Sequence, residues 1–120
     1  MFINVQTKIE GVHRWENAPD KVSFLRNLHR HLFNVSVKLE VTHNDRDIEF
    51  FILKNDIENF FENNYPKFHP EMIRLFNFDK LSCEHISEDL RIFIKDKYKK
   101  EKVEIEIRED EENSGVLSTL

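Results

Sequence analysis

Leu28-His29-Arg30-His31-Leu32-Phe33 runs directly into Asn34-Val35-Ser36-Val37-Lys38-Leu39-Glu40-Val41-Thr42, and the reading of this stretch decides the fold. Phe33, Val35, Val37, Leu39 and Val41 alternate with polar residues, a period of two that marks a strand with one buried face. Counted back on the same parity, His29 and His31 point to the apolar side and Arg30 points away. Two imidazoles at i and i+2 on one face can share a metal ion. They can equally be two packed, hydrogen-bonded core histidines, and the pair alone leaves both readings open.

Working outward toward the amino terminus, Ile3, Val5, Thr7, Ile9, Gly11 and His13 share one parity, so residues 2 to 13 read as a first strand with His13 at its apolar far end. Arg14 to Asp20 reads as a loop, punctuated by Pro19. Residues 21 to 28 read as a short extended lead into a second strand over roughly 31 to 43. Toward the carboxyl terminus, Thr42 to Asp47 supplies turn formers, and the period then changes. Leu53, Ile57, Phe60 and Phe61, extended by Phe50, form one helical stripe over about 49 to 63. Residues 64 to 81 hold Pro66 and Pro70 and no sustained period, so they read as a long connection with a helical turn around 71 to 75. Ser82 is an N-cap candidate with Glu84 in the first turn, and Ile86, Leu90, Phe93 and Ile94 give a second helix to about Lys97. Val103, Ile105 and Ile107 mark a third strand that brings Glu109 to the inner face. Asn113-Ser114-Gly115 reads as a turn before a short fourth strand, Val116 to Leu120.

The expected fold is therefore α+β, one domain over 1 to 120, with an antiparallel four-stranded sheet, two helices on one face and the order ββααββ. The other sheet face must meet water or another subunit.

Composition narrows the function. The chain has 120 residues, a net charge of −5 and only two glycines, which argues against a Gly-rich phosphate cradle. The lysines between Lys95 and Lys102 are interrupted by Asp96 and Glu101, so no nucleic-acid arm is expected. No apolar run is long enough to span a membrane. A single cysteine, Cys83, excludes an internal disulfide framework and fits a reducing, cytoplasmic setting. His13, His29 and His31 all lie on the apolar parity of strands that can be neighbours. Three imidazoles leave the fourth tetrahedral position of Zn²⁺ open, as catalytic rather than structural zinc sites do.

Four short motifs in register extend this reading. The His13-Arg14 strand end, the Leu28-His29-Arg30-His31 segment, Ile48-Glu49-Phe50-Phe51-Ile52-Leu53-Lys54 and Ser82-Cys83-Glu84-His85-Ile86 are followed by Ile107-Arg108-Glu109-Asp110. Together, from about 3 to 116, the chain resembles the 6-pyruvoyltetrahydropterin synthase and 6-carboxytetrahydropterin synthase family. That family carries HGH, (V/I)-D-F-x-x-L-K and T-x-E motifs and a late strand ending in Glu.

The resemblance implies the tunnelling fold and homo-oligomers, trimers or hexamers, with active sites between subunits. It implies catalytic zinc on His13, His29 and His31. A pterin or purine-like small molecule would be anchored by Glu109, with Glu84 as a second substrate-binding residue. The activity implied is a zinc-dependent lyase acting on dihydroneopterin triphosphate or a related pterin, in a queuosine- or tetrahydrobiopterin-type pathway.

The departures concern the base. Leu25 stands where the family has its proton-abstracting Cys, and Arg26 where some relatives have Glu. Arg30 replaces the Gly of HGH, and Glu49 the Asp of the helix-opening segment. The DH-x-x-LN motif is missing, with His69 in Pro66-Lys67-Phe68-His69-Pro70 at about its distance. The residues left for acid–base work are His69 and Cys83, the latter as a thiolate activated by a helix N-terminus, with His85 and Glu84 beside them. Arg14, Arg26 or Arg30 could meet phosphates. The alternative is a non-catalytic pterin- or purine-binding oligomeric module that keeps the zinc pocket.

Overall fold

A computed structural model describes all residues, 1–120. Its order is β1 (Phe2–His13), a short 3₁₀ segment (Asp20–Arg26), β2 (His29–Glu40), α1 (Phe50–Asn64), β3 (Leu75–Asp79), α2 (Cys83–Tyr98), β4 (Val103–Glu109) and β5 (Asn113–Ser118). The strands form one sheet in the order β3-β1-β2-β4-β5. All neighbours are antiparallel except β1 and β3, which run parallel.

The odd-numbered side chains of β1, β2 and β4 face the helices. Val35, Val37, Leu39, Val103, Ile105 and Ile107 are buried there against Leu53, Ile57, Phe60 and Phe61 of α1 and Ile86, Leu90 and Ile94 of α2. Each such aliphatic or aromatic side chain contributes about 1.5–3 kcal/mol by leaving water. The even-numbered side chains, including Asn4, Gln6, Lys8, Ser36, Lys38, Glu104 and Glu106, form a polar open face. Glu49 caps α1 by accepting from Ile52 N at 2.8 Å, and Ser82 Oγ caps α2 by accepting from His85 N at 3.2 Å. No helix is long and apolar enough to cross a membrane.

The structure corrects the expected sheet. It has five strands of mixed direction rather than four antiparallel ones, and the order is ββαβαββ rather than ββααββ. The added strand, β3, lies inside the segment read as a connection. Only Phe76 and Phe78 mark its buried face, too few to declare a period. The helical turn expected at 71 to 75 is instead a pair of tight turns, Met72 N to His69 O at 2.9 Å and Leu75 N to Met72 O at 3.0 Å. The lead into β2 is 3₁₀ rather than extended. β2 itself spans 29 to 40, because the Asp47 side chain captures Thr42 N at 2.8 Å and folds the chain away. Phe50 does not extend the α1 stripe; it is exposed at the first turn.

The last turn also moves. Asp110 and Glu111 adopt left-handed backbone, φ 53° and 67°, so the chain reverses there and residues 113 to 115 belong to β5. Gly115 serves close packing: a Cβ there would sit 3.2 Å from the backbone nitrogen of Glu84 at the start of α2.

Candidate metal centre

Antiparallel pairing of β1 and β2 places His13 opposite His29, Gly11 opposite His31 and Ile9 opposite Phe33. Since side chains two apart share a face, the three imidazoles gather at the helix-side end of the sheet. Their centroids are 4.7 Å (His13–His29), 5.3 Å (His13–His31) and 5.0 Å (His29–His31) apart. One ring nitrogen from each lies within 4.8 Å of the others. Phe33 stands edge-on beneath His13 and His31, at 5.3 and 5.7 Å, and closes the core side of the cluster.

Each ring is held through Nδ1. His13 Nδ1 meets Leu81 O at 2.9 Å, His29 Nδ1 meets Asn27 O at 2.9 Å, and His31 Nδ1 meets Asp110 Oδ2 at 2.5 Å. Carbonyl and carboxylate oxygens only accept, so in all three bonds the proton sits on Nδ1. When the rings are neutral, the Nε2 lone pairs are then available for a shared cation. This is the arrangement by which outer partners orient histidine ligands of a metal. The donor set fits zinc, which takes imidazole nitrogen readily and needs only three protein ligands in an open site.

Glu109 completes the group from β4, which pairs with β2 so that Glu109 faces Phe33. Its Oε1 lies 3.2 Å from His13 Nε2 and its Oε2 3.5 Å from His31 Nε2. Burial opposes charge on His13, but the Glu109 carboxylate and the Leu81 carbonyl outweigh it, and its pKa is raised. The His13 hydrogen bond in turn holds the Glu109 carboxyl below its usual range, against partial burial. Asp110 is likewise lowered by its bonds to His31 and to Leu32 N.

A cavity of about 550 Å³ opens beside this cluster. His13, His29 and Glu109 form its inner end, and Arg14, Trp15, Leu25 and the 80–85 segment wall it. Two ion pairs stand at its rim: Arg14 Nε to Asp79 Oδ1 at 3.1 Å and Lys80 Nζ to Glu16 Oε2 at 2.8 Å.

The expected site residues separate here. His13, His29 and His31 come together, and Glu109 joins them. Glu84 lines the cavity, as do Cys83 and His85 at the start of α2. Cys83 is buried, and its Sγ donates to Glu109 Oε1 at 3.5 Å. Burial and the neighbouring carboxylate push its thiol well up, opposite to the activated thiolate expected from the helix N-terminus. His69 is exposed on the 65 to 74 connection, edge-on to Phe68 at 4.7 Å, and is not part of this cavity wall. Arg14 reaches the cavity. Arg26 bonds Ala18 O and Asp20, and Arg30 pairs with Glu10 on the open face. Leu25 is also in the wall. Lys80 and Trp15 carried no sequence signal beyond ordinary loop chemistry. The Asp110–His31 bond was also missed, although Asp110 directly follows Glu109.

Fold and site together define a class of protein: a small α+β chain whose sheet gathers three imidazoles and a carboxylate beside a cavity. No protein-family profile matches the chain, and no curated protein matches it by sequence. Solved structures do match. A 6-pyruvoyl tetrahydropterin synthase from Plasmodium falciparum superposes with a TM-score of 0.61 at 15% identity, covering 99% of this chain and 97% of that one. An uncharacterized protein from Wolinella succinogenes gives 0.62 at 12% identity, with 100% and 99% covered. A catalytic-residue mutant of the Plasmodium vivax 6-pyruvoyltetrahydropterin synthase gives 0.57 at 13%, with 98% of each chain covered. The chain thus has the fold of the 6-pyruvoyltetrahydropterin synthases over its whole length.

Proposed function

We propose that this chain is a divergent zinc-dependent protein of the pterin synthase type, acting on dihydroneopterin triphosphate or a related pterin. One observation carries the reading. Three imidazoles, each fixed through Nδ1 to an acceptor, gather beside Glu109, and two of them, His13 and His29, line the cavity with it.

His13, His29 and His31 would hold the zinc, which supplies Lewis-acid polarisation of a substrate oxygen when bound. Glu109 is an acceptor-only fork, matched to the adjacent N–H and amino donors of a pterin or guanine edge. The protonated Cys83 thiol donates to Glu109 and orients it. Glu84 extends the carboxylate surface of the pocket. For proton transfer, the cavity offers His85, whose Nδ1 lies 3.1 Å from Ser82 Oγ. His69 belongs to this chemistry only across a subunit boundary, in the trimer or hexamer that the polar open face and the open edge of β5 suit. The reading places the protein in the cytoplasm, where its single thiol stays reduced.

Metal analysis and incubation with dihydroneopterin triphosphate test this. Bound zinc with product formation abolished by His31→Ala is the expected result; a protein that takes up no zinc overturns it. Leu25 in the cavity wall favours a second reading, a binding module without turnover. Saturable pterin binding lost in Glu109→Gln, with no product from the wild type, would identify that case.

A further inference from the structure

The turn after β4 has a course that glycine would adopt more easily. Asp110 and Glu111 are successive left-handed residues, and neither side chain favours that region as glycine does. The turn is pinned by Asp110 N to Leu32 O at 2.9 Å and Glu112 N to Glu109 O at 3.0 Å. This posture turns the Asp110 carboxylate back over β2. Its Oδ1 accepts from Leu32 N at 2.9 Å, and its Oδ2 accepts from His31 Nδ1 at 2.5 Å. One oxygen is thereby anchored to backbone, so the other has a fixed position. His13 and His29 lean on neutral carbonyls, whereas His31 leans on an anion. His31 is also the ring outside the cavity wall, so a substrate filling the cavity has no hold on its orientation.

We propose that Asp110 is a positioning residue of the metal centre. It fixes His31 with the proton on Nδ1 and the Nε2 lone pair aimed at the shared cation. The proposal rests on the zinc reading above. Carboxylate–histidine–metal relays act in this way, and loss of the outer partner typically weakens metal binding about 10–100-fold.

Asp110→Asn is the informative variant, because it keeps the size but leaves one acceptor oxygen for two donors, Leu32 N–H and His31 Nδ1–H. Glu111→Gln removes an equal charge from the same turn without touching His31. In competition with a chromophoric chelator, the Asp110→Asn chain should bind Zn²⁺ about 10–100-fold more weakly. The Co²⁺-loaded form should have a changed visible spectrum, and Glu111→Gln should match the wild type in both. Wild-type affinity in Asp110→Asn, or an equal loss in Glu111→Gln, overturns the proposal. Should Asp110→Asn lose its far-UV circular dichroism, ¹⁵N spectra of the zinc-loaded wild type decide instead. A protonated Nδ1 and metal-shifted Nε2 on His31 support the role, and metal on Nδ1 refutes it. A wild type that binds no zinc removes the metal reading itself and this role with it; the other failures remove Asp110 alone.

Discussion

His13 stands directly across the β1–β2 ladder from His29, with ring centroids 4.7 Å apart. The antiparallel register of these two strands therefore brings all three imidazoles together, His31 lying two residues along β2 from His29. Zinc should then stabilise the folded chain, because the unfolded chain has no such cluster. At free zinc 100 times Kd the gain is about 2.7 kcal/mol. Thermal melts with and without zinc should differ accordingly, and His29→Ala should abolish the difference. A zinc-dependent shift that survives in His29→Ala would place the binding elsewhere.

Metal uptake should release protons. Glu109 lies 3.2 Å from His13 Nε2 and helps raise the pKa of His13 above its ordinary 6.5. Below that raised value His13 carries the proton that a cation must displace, so zinc affinity falls as pH drops and is fully developed only above it. Calorimetric titrations between about pH 6 and 8, in buffers of different ionisation enthalpy, measure the proton count. Glu109→Gln removes the partner that favours the charged ring, so its affinity should depend less steeply on pH near neutrality.

Gly11 couples the core to the cluster. A Cβ at this position would lie 2.3 Å from Phe78 Cε2 and 3.2 Å from Phe33 Cε2, and both rings are buried. Phe33 in turn supports His13 and His31. Overpacking of this kind typically costs about 1–3 kcal/mol. Gly11→Ala should lower the urea midpoint with little change in m-value, and it should weaken zinc binding by displacing the rings. A full-strength site in a destabilised Gly11→Ala chain would show that Phe33 does not position the imidazoles.

The sequence made the site's inner residues legible because strand parity is local information. His29 and His31 share a side of the alternating run that continues to Val41, and Glu109 shares the side of Val103, Ile105 and Ile107. Their convergence needed a partner register, which the motif order supplied only by resemblance. What could not be read depended on distant contacts. β3 has just Phe76 and Phe78 to mark its inner face and exists by pairing in parallel with β1. Gly115 looked like a turn residue because the backbone of Glu84, at 3.2 Å from its would-be Cβ, is remote in sequence. The real turn uses Asp110 and Glu111, which no glycine announces. Cys83 at a helix start suggested a lowered thiol pKa, but burial and Glu109 raise it.

The end of the molecule farther along β2 should govern acid tolerance. Asp47 accepts from Thr42 N at 2.8 Å, from Thr42 Oγ1 at 2.9 Å and from Lys100 Nζ at 3.0 Å. It thereby ties the turn between β2 and α1 to the segment after α2. The Thr42 backbone N–H leads in depressing its carboxyl from 3.8 to about 2, with Lys100 and the Thr42 hydroxyl adding to it. A carboxyl depressed in the folded state contributes stability that is present above its unfolded value and disappears as pH falls through the folded one. The window for Asp47 is thus about pH 4 down to about 2. Urea unfolding at steps across that interval should show stability falling with pH in the wild type. Asp47→Asn, which cannot titrate, should fall less steeply there while starting from a lower value at neutral pH. Parallel slopes for the two proteins would mean that other carboxylates control acid unfolding, and that the Thr42–Asp47–Lys100 linkage adds no pH-dependent stability.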